Sequence, residues 1–149
     1  MQITGRMESV SRSTQADIRV VDNFLPMYDQ VAAMIANESL MYGSRSNART
    51  DPHGHWSQTF ATAARTNLAD VSGDLSTDAR LAPIKSAWEF LRDRELPDDV
   101  LIRCYVNGYT YGTDGYFHTD SQRSDEHTVV LYMNDHWEPD WAGETTFLD

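Results

Sequence analysis

The stretch Val100-Leu101-Ile102-Arg103-Cys104-Tyr105-Val106 decides the fold class, because from Pro97 onward the chain changes to a two-residue period. Alternate side chains of a strand project to opposite faces. Ile102 and Cys104 are therefore predicted on one face, and Leu101, Arg103 and Tyr105 on the other. Upstream the period is helical. Thr77 or Asp78 offers a cap, Pro83 falls in the first turn, and Leu81, Ile84, Trp88 and Leu91 follow at spacings of three, four and three. An earlier helix is predicted to start at Pro26, with Met27, Val31, Met34 and Ile35 on one face. A strand from Ile18 to Phe24 leads into it, and the polar stretch from Gly43 to Asp70 reads as a loop. Beyond Val106, a Gly-, Tyr- and Thr-rich turn region (Tyr109 to Gly115) precedes three further strands, Tyr116 to Asp120, Thr128 to Met133 and Glu144 to Leu148. Helices first and antiparallel-looking strands afterwards predict an α+β chain with helices packed on a sheet sandwich.

A chain of 149 residues suits one domain with a real core. Residues 1–16 read as a flexible polar tail and 17–149 as the domain. The tail lacks the apolar centre of a signal peptide. The longest apolar stretches, such as Val129 to Met133, fall far short of the roughly 20 residues of a membrane span. A formal charge of −11 with scattered arginines argues against nucleic acid as a partner, since binding to phosphates needs clustered Lys and Arg. Cys104 is the single cysteine, which excludes an internal disulfide and a thiolate-only zinc site and fits a reducing, cytoplasmic compartment. Any metal site must then be built from His, Asp and Glu.

Tyr116-Phe117-His118-Thr119-Asp120 supplies such groups. At positions i and i+2 of a strand, His118 and Asp120 present an imidazole and a carboxylate side by side. Two such groups can occupy neighbouring positions on one metal ion, and a further His would complete the facial triad of non-haem iron. Gly108, Gly112 and Gly115 would let the chain turn tightly into that strand.

The order of the surrounding segments adds more than the pair itself. Cys104-Tyr105-Val106-Asn107, Gly115-Tyr116-Phe117-His118-Thr119-Asp120, Thr128-Val129-Val130-Leu131-Tyr132-Met133-Asn134 and Asp140-Trp141-Ala142-Gly143-Glu144-Thr145 follow one another. This order resembles the prolyl-4-hydroxylase-like branch of the iron(II)/2-oxoglutarate-dependent oxygenases, in which a strand, an HxD strand, a T-x-x-x-Y-L-N strand and a W-x-G-G-E turn succeed each other. The likeness covers Val100 to Asp149, with Ala142 in place of the first Gly of the usual pair, and the strand and helix around Ile18 to Ile35 are similar to the family's opening. It implies a double-stranded β-helix (a jelly-roll, cupin-like barrel) with N-terminal helices packed on the sheet. It implies that His118 and Asp120 are metal ligands for Fe(II). Tyr105, Thr128 and Tyr132 would bind the cosubstrate 2-oxoglutarate, with ascorbate as an accessory reductant. The reaction implied is hydroxylation of a small-molecule, amino-acid or peptidyl substrate with release of succinate and carbon dioxide. Asp120 argues against the halogenases of this fold, which leave the carboxylate position to chloride.

The family's distal His and its following Arg or Lys find no counterpart up to Asp149, and the strands available are too few for a barrel of about eight. The sequence therefore reads as the N-terminal part of such a domain, incomplete at its C-terminus, with a missing segment or a partner chain closing the exposed edge. Two other readings stay open. One is a catalytically incompetent β-sandwich that serves as a binding or interaction module. The other is a different His/carboxylate metalloenzyme on a cupin-like barrel that uses His53 or His55, since His53-Gly54-His55 has the most metal-like spacing, although none of His53, His55, His127 and His136 falls at the family's position.

Overall fold

Strand β4 (Val100–Gly108) is the centre of the molecule. A computed structural model describes residues 1–4, 18–47, 49–51, 53–113, 115 and 117–147. On one side β4 pairs antiparallel with β3 (His55–Thr62), which in turn carries β2 (Met41–Ser44). On the other side two three-residue strands, β1 (Gln2–Thr4) and β5 (Glu126–Thr128), extend this three-stranded sheet to the order β2-β3-β4-β1-β5. Helix and strand are thus mixed around an antiparallel sheet, in line with the α+β expectation.

Two helices cover one face. In α1 (Tyr28–Ala36), Val31 is buried while Met27, Met34 and Ile35 pack around it on the predicted face. In α2 (Ala82–Glu95), Ile84, Ala87, Trp88 and Leu91 are buried. Its start follows the sequence signals. The Asp78 carboxylate accepts the Arg80 N–H at 2.9 Å and caps a 3-10 turn, Ala79–Leu81, that runs into α2, with Pro83 in the first turn. Proline is tolerated there because the missing N–H would have no helical partner. The core closes with Leu75, Leu81, Ala61, Leu101 and Cys104.

Strict alternation along β4 would keep Leu101 and Cys104 on opposite faces, yet both enter this core. The pairing explains it. Across β1, Gln2 sits opposite Arg103 and Ile3 opposite Leu101, so Ile102 is one residue too many and the strand bulges. The bulge resets which face each later residue takes. A second register shift in β3, between Thr59 and Ala61, accommodates Phe60 in the same way.

Residues directly opposite each other in an antiparallel pair project to the same side. Ala61 faces Cys104 and belongs to the helix-covered side. Thr59 faces Tyr105, Ser57 faces Asn107 and Thr62 faces Arg103, which places these side chains on the other, polar side. Gln2 pairs with both Arg103 and Thr128, so Thr128 joins that polar face.

Several expected elements differ. The stretch from Gly43 to Asp70, predicted as loop, contains the end of β2 and all of β3. Two glycines permit the close pairing: Gly43 adopts a φ of +119°, and a Cβ on Gly54 would come within 2.9 Å of the Gly43 backbone. Ile18 to Phe24 forms no strand; Ile18, Val20 and Val21 are exposed, and a period-two pattern supplies no partner for the backbone hydrogen bonds. Residues 117–120 are irregular, and Tyr116 lies outside the described residues. The strand predicted from Thr128 to Met133 is formed only up to Thr128; Val129 still exchanges backbone hydrogen bonds with Met1, the residues after it are irregular, and residues 144–147 form no strand. Of the predicted tail, residues 2–4 form β1 and 5–16 lie outside the described residues. No helix among the described residues is long and apolar enough to cross a membrane.

Candidate metal and cosubstrate site

His118 and Asp120 meet even without a regular strand beneath them. His118 Nε2 lies 3.4 Å from Asp120 Oδ1, and each side chain is 34% exposed. Donor atoms bound at right angles to one metal, each at about 2.0–2.2 Å, stand about 3 Å apart. The observed separation is therefore that of two neighbouring ligands, within a few tenths of an ångström. The other carboxylate oxygen is held: the Thr128 hydroxyl donates to Asp120 Oδ2 at 2.8 Å. That bond fixes the plane of the carboxylate and leaves Oδ1 directed at the imidazole. Through it β5, the last strand of the sheet, positions a loop residue eight places earlier in the chain.

Tyr105 lies near enough for the Asp120 charge to act on its phenol. It is half-buried in β4, and the Arg103 guanidinium carbon lies 5.1 Å from its ring centre, a cation–π contact. Burial pushes the Tyr105 phenol above its ordinary range, the Arg103 charge opposes this, and the Asp120 and Tyr109 charges add to it. The phenol therefore stays protonated at neutral pH and serves as a hydrogen-bond donor. The Met1 ammonium is close as well. It donates to the Val129 carbonyl at 2.6 Å; burial lowers its pKa, while the Cys104 and Asp120 charges pull the other way.

Tyr132 stands differently. It is 57% exposed, its hydroxyl shares a hydrogen bond with Thr145, and the irregular backbone after Thr128 removes the strand face it was expected to share with that residue. Of the five residues expected at the site, the structure gathers four, His118, Asp120, Thr128 and Tyr105, on the polar face.

The same face carries a second group that the sequence reading left in a loop. His55 opens β3 and is only 6% exposed, as is Asp51. Burial lowers the His55 pKa, against the Asp51 charge and a hydrogen bond with the Asn107 side chain, and the Tyr109 ring lies 4.8 Å from the imidazole. Asp51 accepts the Asn47 N–H through Oδ2 at 2.7 Å, while its buried Oδ1 has no hydrogen-bond partner among the described residues. The alternating pattern of His55, Ser57 and Thr59 was the available signal for this strand. The other histidines lie elsewhere: His53 is exposed, His127 shares a register position with Ile3 and Leu101, and His136 pairs with Glu138 at 2.8 Å.

The donor set at His118 and Asp120 is of the kind non-haem iron takes. It amounts to two ligands: among the described residues no group of three or more His, Cys, Asp and Glu side chains is placed to hold a metal ion. No protein family, curated protein or solved structure matches the chain.

Proposed function

We propose that this chain carries the metal-binding part of an iron(II)- and 2-oxoglutarate-dependent dioxygenase, a hydroxylase acting on a small-molecule, amino-acid or peptidyl substrate. The observation that carries the reading is the His118–Asp120 pair, 3.4 Å apart, with Thr128 holding the second carboxylate oxygen. The proposed fold is the double-stranded β-helix, of which the present sheet would be one layer. Iron bound at these two residues would couple the decarboxylation of 2-oxoglutarate to the oxidation of a substrate C–H bond. The protein's own part is positional: His118 and Asp120 hold the metal, Thr128 orients Asp120, and the protonated Tyr105 offers a hydrogen bond to a carboxylate.

A second reading is favoured by the count of two ligands among the described residues. Such a site holds metal weakly, as expected of a binding module that keeps the strands of an oxygenase without turnover. One experiment separates the two. Iron(II), oxygen and 2-oxoglutarate are added to the protein and to its His118→Ala variant, and succinate is followed alongside iron binding. Succinate that disappears in the variant supports the oxygenase. Iron binding that depends on His118, without succinate, supports the module. Absence of both refutes the metal assignment.

A further inference from the structure

Three polar or charged side chains are buried among the described residues: Asp51, His55 and Asp99. Asp51 and His55 stand close together in the chain, at the entry into β3. Each is 6% exposed, and the Asp51 charge reaches the imidazole. A buried carboxylate is costly unless a cation or several hydrogen bonds compensate it. Asp51 accepts one such bond, from the Asn47 N–H to Oδ2 at 2.7 Å. Its Oδ1 is buried with no hydrogen-bond partner, and no Lys or Arg among the described residues forms an ion pair with it. His55 does not supply the missing charge, since removal from water favours the neutral ring.

Both side chains are held in place by their surroundings. The Asp51 N–H donates to the Asn47 carbonyl at 2.9 Å, so the turn 47–51 is closed through backbone and side chain alike. His55 pairs with Ser44 of β2, and the Tyr109 ring lies 4.8 Å from the imidazole. Gly54 packs so closely on Gly43 that a Cβ there would come within 2.9 Å of it, which fixes the entry into β3 against β2. The Asn107 side chain hydrogen-bonds the imidazole. A ring with one nitrogen engaged by a polar partner presents the other as a donor, the usual arrangement of a metal-bound imidazole. The carboxylate has the same form, one oxygen engaged and the other uncommitted. A metal ion bonds such donors at about 2.0–2.2 Å and fits between closely set side chains. An organic ammonium needs about 2.7–2.9 Å to each acceptor and a path for its carbon chain as well. We propose that Asp51 Oδ1 and the second ring nitrogen of His55 bind a divalent transition-metal ion, such as zinc(II), that ties the 47–51 turn to β3. Imidazole beside carboxylate suits zinc and its neighbours better than calcium or magnesium. With two protein donors the site is weaker than a closed structural zinc centre, and it stabilises the fold in step with the ion supplied. It is independent of the metal assignment at His118 and Asp120.

The test titrates zinc(II) by calorimetry into the full chain carrying His118→Ala, which removes the other candidate site. Zinc(II) should still bind, and thermal unfolding should move upward as it is added. In NMR spectra of the unaltered chain, zinc(II) should shift the ring resonances of His55 and leave those of the exposed His53 in place. Asp51→Asn, made in the His118→Ala chain, keeps the size of the side chain and an oxygen for the Asn47 N–H while removing the charge. It should weaken zinc(II) binding roughly tenfold or more, and His55→Gln should do the same. Circular dichroism reports whether each variant is folded. The ring resonances need no substitution and carry the test if the variants are not. A His118→Ala chain that binds no zinc(II), with His55 unshifted in the unaltered chain, overturns the proposal, and a buried water then meets Asp51 Oδ1. Binding that leaves the His55 ring unshifted, or that a folded Asp51→Asn chain retains in full, also overturns it, because the ion then sits elsewhere.

Discussion

Removing the Thr128 hydroxyl tests the metal assignment without touching a ligand. Thr128→Val keeps the shape of the side chain and deletes the donor to Asp120 Oδ2, now bonded at 2.8 Å. A hydrogen bond to a charged group is worth about 1.5–3 kcal/mol when well shielded. Asp120 is an exposed residue with its side chain 34% exposed, so water replaces part of the lost bond and the lower end applies. A loss of about 1.4 kcal/mol corresponds to a tenfold weaker metal affinity, which also matches the usual effect of freeing a ligating carboxylate from its supporting bond. The assay is titration of manganese(II) into the unaltered chain, Thr128→Val and Thr128→Ser, with thermal unfolding measured in parallel. The Ser variant keeps a hydroxyl and should bind within about twofold of the unaltered chain, a difference of roughly 0.4 kcal/mol. Equal affinity of the unaltered and Val forms would refute the reasoning. So would a Ser variant as weak as the Val variant, because the methyl group and not the hydrogen bond would then be responsible.

Three further outcomes follow from the core and the polar face. Trp88 is 1% exposed at the middle of α2, and Trp88→Ala should cost about 3–5 kcal/mol, read as a lowered urea midpoint at unchanged m-value. The folded-state pKa of His55 lies below its ordinary value of about 6.5, chiefly through burial. The unfolded chain then binds the extra proton first, so the contribution of His55 is fully present above about pH 6.5 and is lost as pH falls below it toward the folded-state value. His55→Gln should flatten that acid-side fall, whereas an unchanged pH profile would count against it. The Cys104 thiol is buried and pushed up to about 11, so a thiol reagent at pH 8 should label the unfolded protein and leave the native one unreacted.

The helical part of the fold was legible because its determinants are local. Pro83 and the spacing of Leu81, Ile84, Trp88 and Leu91 act within a few turns of chain and are used as read, while Asp78 caps the 3-10 turn that leads into α2 rather than α2 itself. The sheet was legible only in β4. Its neighbours depend on pairing between distant segments, which no local pattern reports. His55 to Thr62 was hidden in a polar stretch because its inward side on the polar face is made of His, Ser and Thr rather than aliphatic residues. Ile18 to Phe24 and Val130 to Met133 show the converse: apolar alternation favours a strand, but without a neighbour among the described residues to satisfy the backbone it stays irregular. The pair His118–Asp120 was readable because adjacent donors need only one residue of chain between them, in a strand or in a bend.

The bulge at Ile102 is where packing and chemistry are separated. Without it, Leu101 and Cys104 could not both point under the helices, and one of them would displace a polar residue from the other face. With it, Arg103, Tyr105 and Asn107 keep one side of β4 in common, facing Thr62, Thr59 and Ser57 of β3. A core strand thereby carries an arginine, a tyrosine and an asparagine without breaking the apolar layer beneath. A sequence-only assignment of faces puts Leu101 with Arg103 and Tyr105, and so mixes the two layers. The extra residue accounts for the misplacement of Leu101 and of Ile102 itself, which is buried but does not join Cys104 in the helix-covered core.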